Sequence, residues 1–236
     1  MNVKVLETTS PDKSSPVRLL PPLEMGDRLT RIEFERRYAA MPPDKKAELI
    51  EGVVFMPSPV RYSHGKPHAY ILGWLTQYCA FTPQIELADN ATVRLDADNE
   101  VQPDVLLRFV EEAGGQSTIS ADDYVEGTPE LIIEIAASSV SYDLYDKLPV
   151  YRRNGVKEYV VWQVYDQKID WFVLEEGQYV PLRLDADGII HSRNFPGLAL
   201  AVVPLLQGDM AAVLTTLQKA MNGDAHKQFV SQLSAQ

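Results

Sequence analysis

Glu134 stands inside an aliphatic run, in the stretch "ELIIEIAASSVSYDLYDK" over residues 130–147, with Leu131, Ile132, Ile133 and Ile135 around it. A carboxylate is costly to bury among such side chains unless a partner holds it. Two more acids occupy comparable places. Asp104 follows Pro103 and opens "DVLLRFV", and Glu48 lies in "ELIEG", just before the apolar "VVFM". Carboxylates at or inside apolar strands are commonly paired, hydrogen-bonded or bound to a cation. A hard divalent ion such as Mg²⁺ takes one or two carboxylates, waters and a substrate phosphate. Lys147 follows Glu134 by thirteen residues, on the next helix, and could return a positive charge to the strand end. Each residue also has a plainer reading: Glu134 as a solvated edge residue, Asp104 as a turn or cap, Lys147 as a surface lysine. Only their combination favours chemistry.

The elements that must position these groups follow from pattern. "RLTRIEFERRYAAMP" reads as a helix, with Thr30 as cap, Glu33 at the capping-box position and prolines 42 and 43 as the stop. "KAELIEGVVFMPSP" reads as a strand with a central glycine. "SHGKPHAYILGWLTQYCAFT" has helical periodicity, with Ile71, Leu72, Leu75 and Tyr78 on one face. "QIELADNATVRL" and "VQPDVLLRFV" read as strands, "EEAGGQSTISADDYVEGT" as a polar loop and "PELIIEIAA" as a central strand. "YDLYDKLPVYRRNGV" reads as a helix despite Pro149, stopped at Gly155. "KEYVVWQVY" and "IDWFVLEEGQYVPLRL" are strands, the second carrying a hairpin turn at Glu176 and Gly177, and "GDMAAVLTTLQKAM" is a terminal helix. The order gives a mixed α/β or α+β fold. Residues 1–25 are expected to be a flexible arm, 26–222 one domain and 223–236 a polar tail.

Composition narrows the function class. With 236 residues, 45% hydrophobic and 23% charged, the chain suits one well-buried domain. Its net charge of -11 disfavours tight, non-specific binding to polyanions, although a local basic groove remains compatible with it. Cys79 is the one cysteine, so neither an intrachain disulfide nor a cysteine zinc site is available, and its apolar helical setting marks it as a core residue. The longest apolar runs are too short to span a bilayer. The opening stretch lacks an apolar segment with a cleavage site, so the expected compartment is the cytoplasm. There is no glycine-rich phosphate loop, GxSxG, HExxH or EF-hand pattern.

The ordered set "ELIEG", "SHGKPH", "QPDVLL" and "ELIIEIAASSVSYDLYDKLPVYRRNGVKEYVVW" resembles the Uma family of restriction endonucleases, within the PD-(D/E)XK nuclease superfamily. The resemblance covers roughly residues 34–205. It implies a restriction-endonuclease-like core of a helix, three strands, a helix and a strand, with a mixed central sheet flanked by helices and followed by a C-terminal β-hairpin and helix. It implies Asp104 and Glu134 as metal carboxylates, Glu48 as third acid (Glu51 being the weaker candidate) and His64 as a group touching substrate or a metal-bound water. The superfamily lysine two residues after the glutamate is missing, because Ala136 stands there, and Lys147 fits the family's substitute on the next helix. The serine–proline that often follows the family's glutamate strand is also replaced, here by "AASS".

The expected activity is phosphodiester hydrolysis in nucleic acid, DNA first, with Mg²⁺ or Mn²⁺ as cofactor. Glu48, Asp104, Glu134 and Lys147 form the expected catalytic set. Arg61, Lys66 and Arg152, with Arg153 and Lys157, are expected to rim it. The alternative is an inactive nuclease-fold protein serving as a binding module. Trp162, Trp171 and Phe172, if exposed on the late strands, would favour an oligomeric module, and a homodimer is compatible with either.

Overall fold

Helix α1 (Arg31–Tyr38) begins where Thr30 Oγ1 accepts the Glu33 amide at 3.4 Å. The capping box is not closed, because Arg36 and Arg37 take the Glu33 carboxylate. The computed structural model to which this helix belongs describes residues 20–42, 44–57 and 59–235. Of the arm expected over 1–25, residues 1–19 lie outside the described residues, and Leu23 is buried in a small cluster with Phe34 and Leu49.

The stretch expected as one strand around Gly52 is a hairpin of β1 (Glu48–Ile50) and β2 (Val53–Phe55). Glu51 and Gly52 both have positive φ, 52° and 70°, which lets two residues reverse the chain. Helix α2 (Tyr62–Ala80) follows. Two further stretches expected as single strands are each divided. Asn90, at φ 53°, separates β3 (Ile85–Asp89) from β4 (Val93–Arg94). Pro103 separates β5 (Glu100–Val101) from β6 (Val105–Phe109), since it lacks the N–H a ladder needs. The expected polar loop contains β7 (Ser117–Ile119) and β8 (Val125–Gly127).

Strand β9 (Leu131–Ala136) is buried along its whole length. The next helix differs from a plain α-helix: a π-helical turn over Tyr142–Lys147 leads into α3 (Leu148–Asn154), closed by Gly155 at φ 86°. Pro149 offers no N–H to the preceding turn, and the wider π turn sits directly upstream of it. Then come β10 (Glu158–Gln163), β11 (Lys168–Glu175) and β12 (Gln178–Pro181). Glu176 and Gly177 make the expected hairpin turn with φ 46° and 76°. Strands β13 (Ile189–His191) and β14 (Ala199–Ala201) pair with each other, and α4 (Val202–Gln207) and α5 (Met210–Met221) follow.

The stretch expected as a polar tail instead forms α6 (Asp224–Leu233). Phe229 and Leu233, four residues apart, join the main core, and buried His226 bonds Thr82 at 2.9 Å and the Met221 carbonyl at 2.9 Å.

The central sheet runs β12-β11-β10-β9-β6-β3, with β9 and β10 parallel and the other pairs antiparallel. Elements α2, β3, β6, β9, α3 and β10 therefore give the expected order of helix, three strands, helix and strand. A second sheet runs β2-β1-β5-β4-β8-β7.

Strand alternation sorts β9 between two layers. Leu131, Ile133 and Ile135 pack with Ile71, Trp74, Leu75 and Tyr78 of α2. Ile132 and Ala136 pack with Val150 and Tyr151 of α3. Glu134 shares the parity of Ile132 and Ala136, so it faces the α3 layer. Trp162 and Trp171 are buried in the main core, and Phe172 packs against the second cluster. The two tryptophans therefore fill the interior, and Phe172 is half-buried against the second cluster.

Candidate active and metal-binding site

The buried acid of β9 meets its partners on the helix after it. Lys147 Nζ lies 2.9 Å from Glu134 Oε1, and the Tyr151 hydroxyl donates to the same oxygen at 2.8 Å. Asp143, Lys147 and Tyr151 follow one another at four-residue spacing and are all buried, which places them along one side of the π turn and α3. Lys147 Nζ also contacts Glu48 Oε1 at 3.0 Å, and that oxygen accepts the Gln102 amide at 2.7 Å. One ammonium thus joins the second sheet to the central one. Ser139 donates to Asp143 at 2.6 Å.

Asp104 sits just before β6, beside β9. Its Oδ2 accepts the Ile135 amide at 2.7 Å, and its backbone N lies 3.5 Å from Glu134 Oε2. Glu134 is thus held through both oxygens, with Lys147 and Tyr151 on Oε1 and the Asp104 amide at Oε2. On the other side, His64 Nε2 lies 3.1 Å from Asp104 Oδ1. His68 Nε2 lies 3.1 Å from the Asp104 carbonyl oxygen and 3.0 Å from Asp89 Oδ1.

Electrostatics follow from this crowding. Burial pushes the Glu134 carboxyl well above its ordinary value, Lys147 opposes the shift, and Asp143, Asp104 and Glu48 reinforce it. Burial also raises Asp143, to about 6, against the pull of Lys147 and Ser139. Burial would lower Lys147, yet Glu134, Glu48 and Asp143 outweigh it and hold the ammonium charged. Asp104 stays below its ordinary value: burial raises it, but the His64 bond, the Ile135 amide and Lys147 prevail. The Asp104 bond in turn raises the His64 imidazole. Four carboxyls gather around one ammonium, and two of them are driven toward the neutral form. The carboxylates outnumber the one ammonium, which is the charge balance that suits an added divalent cation.

Glu48, Asp104, Glu134, Lys147 and His64 are brought together. Glu51 is in the β1–β2 turn, exposed and paired with Arg153. Arg152 bonds Gln178 at 2.9 Å and the Gly177 carbonyl in the β11–β12 turn. Neither arginine hydrogen-bonds the clustered carboxylates, so the expected rim is not assembled from them. Arg61 and Lys66 are exposed at the start of α2, Lys66 lying 5.6 Å over the Tyr70 ring, and Lys157 precedes β10 without a bond to the acids. Cys79 is a packed thiol that burial pushes up to about 11. Sequence reasoning missed His68, Asp143 and Tyr151. Their signal was spacing: His68 is four residues from His64, and Asp143 and Tyr151 are each four from Lys147.

Among the described residues no helix is long and apolar enough to cross a membrane. No curated relative matches the chain. A solved structure described as "a putative nuclease belonging to DUF820 from Anabaena variabilis" superposes with a TM-score of 0.53 at 9% identity, covering 77% of this chain and 97% of that one. That likeness concerns the fold. The model of the Uma2 family, described as "Putative restriction endonuclease", matches residues 32–203, and the chain belongs to that family.

Proposed function

We propose that this chain is a divalent-metal-dependent endonuclease acting on nucleic acid, with DNA as the first substrate to test. The observation that supports it most is the convergence of Asp104, Glu134 and Lys147 at one end of the central sheet. Asp104 and Glu134 would hold the ion, Mg²⁺ or Mn²⁺, with Glu48 through water. When bound, such an ion stabilises charge on a scissile phosphate and lowers the pKa of a bound water. The chain's own groups do the rest. Tyr151 and Lys147 fix the rotamer of Glu134 by occupying Oε1. The Ile135 amide fixes Asp104. Lys147, held charged between Glu134 and Glu48, would offer a positive group to the charge developing on the phosphate. His64, 20% exposed and 3.1 Å from Asp104 Oδ1, would touch substrate.

The test is cleavage of plasmid, single-stranded DNA and RNA with Mg²⁺ or Mn²⁺, by wild type and by Asp104→Asn and Glu134→Gln shown to be folded. The expected result is metal-dependent cleavage reduced at least about 100-fold in both variants. No cleavage of any form by the wild type, or full activity in Glu134→Gln, rejects the proposal.

One observation favours the alternative, an inactive nuclease fold used for binding. The Lys147 ammonium is already engaged by two carboxylates. A clear Mn²⁺ isotherm lost in Asp104→Asn, together with turnover, counts against that alternative.

A further inference from the structure

The first turns of α2 carry two histidines at a spacing that puts them on one face. Their rings are 5.7 Å apart and nearly perpendicular. One nitrogen from each and an Asp104 carboxylate oxygen all lie within 4.8 Å of one another. His64 Nε2 and Asp104 Oδ1 are 3.1 Å apart. Bonds of about 2.0–2.2 Å to a common ion place neighbouring donor atoms roughly 3.0–3.5 Å apart, so this edge already has the required length. All three side chains are partly open to solvent, between 12% and 20% exposed, which gives an ion a way in. The other ring nitrogen of His64, Nδ1, is buried without a partner, so Nε2 is the nitrogen available to an ion.

Two imidazoles and one carboxylate with open positions are not a magnesium set. Mg²⁺ favours oxygen ligands, whereas imidazole favours first-row transition metals. We propose that His64, His68 and Asp104 form a separate site for a divalent transition-metal ion of the Mn²⁺, Co²⁺ or Zn²⁺ class, on the α2 side of Asp104. Asp89, whose Oδ1 is 3.0 Å from His68 Nε2, stands at the lip as a further carboxylate. Asp104 would then stand between two cations, one bound with Glu134 on the α3 side and one bound with the histidines. The proposal deepens the metal-dependent reading by naming a second ion class and a ligand role for His64; His68 has no part in that reading and Glu134 has none in this site, so the two fail separately.

The experiment uses the full chain and Co²⁺, whose visible absorption reports nitrogen ligation, with calorimetric titration of Zn²⁺ and Co²⁺ in excess Mg²⁺. The expected result is one Co²⁺ per chain that excess Mg²⁺ does not displace, bound at least about tenfold more weakly in His64→Gln and in His68→Gln. Glu134→Gln should retain the Co²⁺ spectrum. The inference is overturned by absence of Co²⁺ binding, by wild-type affinity in either histidine variant, or by loss of the spectrum in Glu134→Gln alone. Circular dichroism of each variant separates lost ligation from lost folding. A chain that cleaves nothing yet binds Co²⁺ through the histidines rejects the nuclease proposal and keeps this one.

Discussion

Lys147 is a buried cation on which several carboxylates depend. It is buried with Glu48, Glu134 and Asp143, and removing it leaves several carboxyls without their cation. Breaking a buried ion pair on one side costs about 3–5 kcal/mol. Lys147→Ala is therefore expected to lower the urea unfolding free energy by about that amount, and Glu48→Gln added to it should restore part of the loss. An unfolding curve unchanged from wild type would show that the ammonium is dispensable to the fold. At this scale the sequence revealed the anomaly but not its resolution. Glu134 was conspicuous because its neighbours are aliphatic. His68 was not conspicuous, because a histidine four residues from another on a helix becomes informative only once a carboxylate is known to face them. Asp104 is that carboxylate, and it comes from a strand start thirty-six residues beyond His68.

The elements show the same Glu–Gly dipeptide used twice. Glu51–Gly52 and Glu176–Gly177 both reverse the chain with two positive φ values. Only the second was read as a hairpin, because alternating apolar residues flank it on both sides over a long span, whereas β1 and β2 have three residues each. An alanine at either glycine meets a left-handed backbone, a cost of about 1–2 kcal/mol. At Gly52 the added Cβ would also lie 3.1 Å from the Leu29 carbonyl oxygen, while at Gly177 it meets open space. Gly52→Ala is thus expected to destabilise more than Gly177→Ala in thermal unfolding, and the reverse order would show that the Leu29 contact relaxes freely. The π turn before α3 was not legible either. Pro149 signalled trouble in a helix, but whether a chain breaks, kinks or widens there depends on what its side chains must reach, and Lys147 must reach β1 and β9 together.

Across the whole molecule, α6 closes the main core through Phe229, Leu233 and the buried His226. Burial, opposed by the Met221 carbonyl, lowers the His226 imidazole. The unfolded chain takes up this proton near pH 6.5 while the folded chain still resists it. Stability that depends on neutral His226 is therefore complete above that pH and is lost as the pH falls below it. The urea midpoint of wild type should drop further than that of His226→Gln between about pH 7.5 and about pH 5.5. Equal drops would remove His226 from the pH response. The sequence by itself determined the mixed run of helices and strands, the unusual acids and the lack of a long apolar run, since these depend on local periodicity and residue type; the core order of helix, three strands, helix and strand came from the family resemblance. Tertiary structure alone decided which layer Glu134 faces, that Lys147 spans two sheets, that Arg152 and Arg153 are drawn to turns instead of the acids, and that the late tryptophans are core. Those outcomes depend on contacts between residues far apart in the chain, and burial and charge pairing are properties of such contacts rather than of any single stretch.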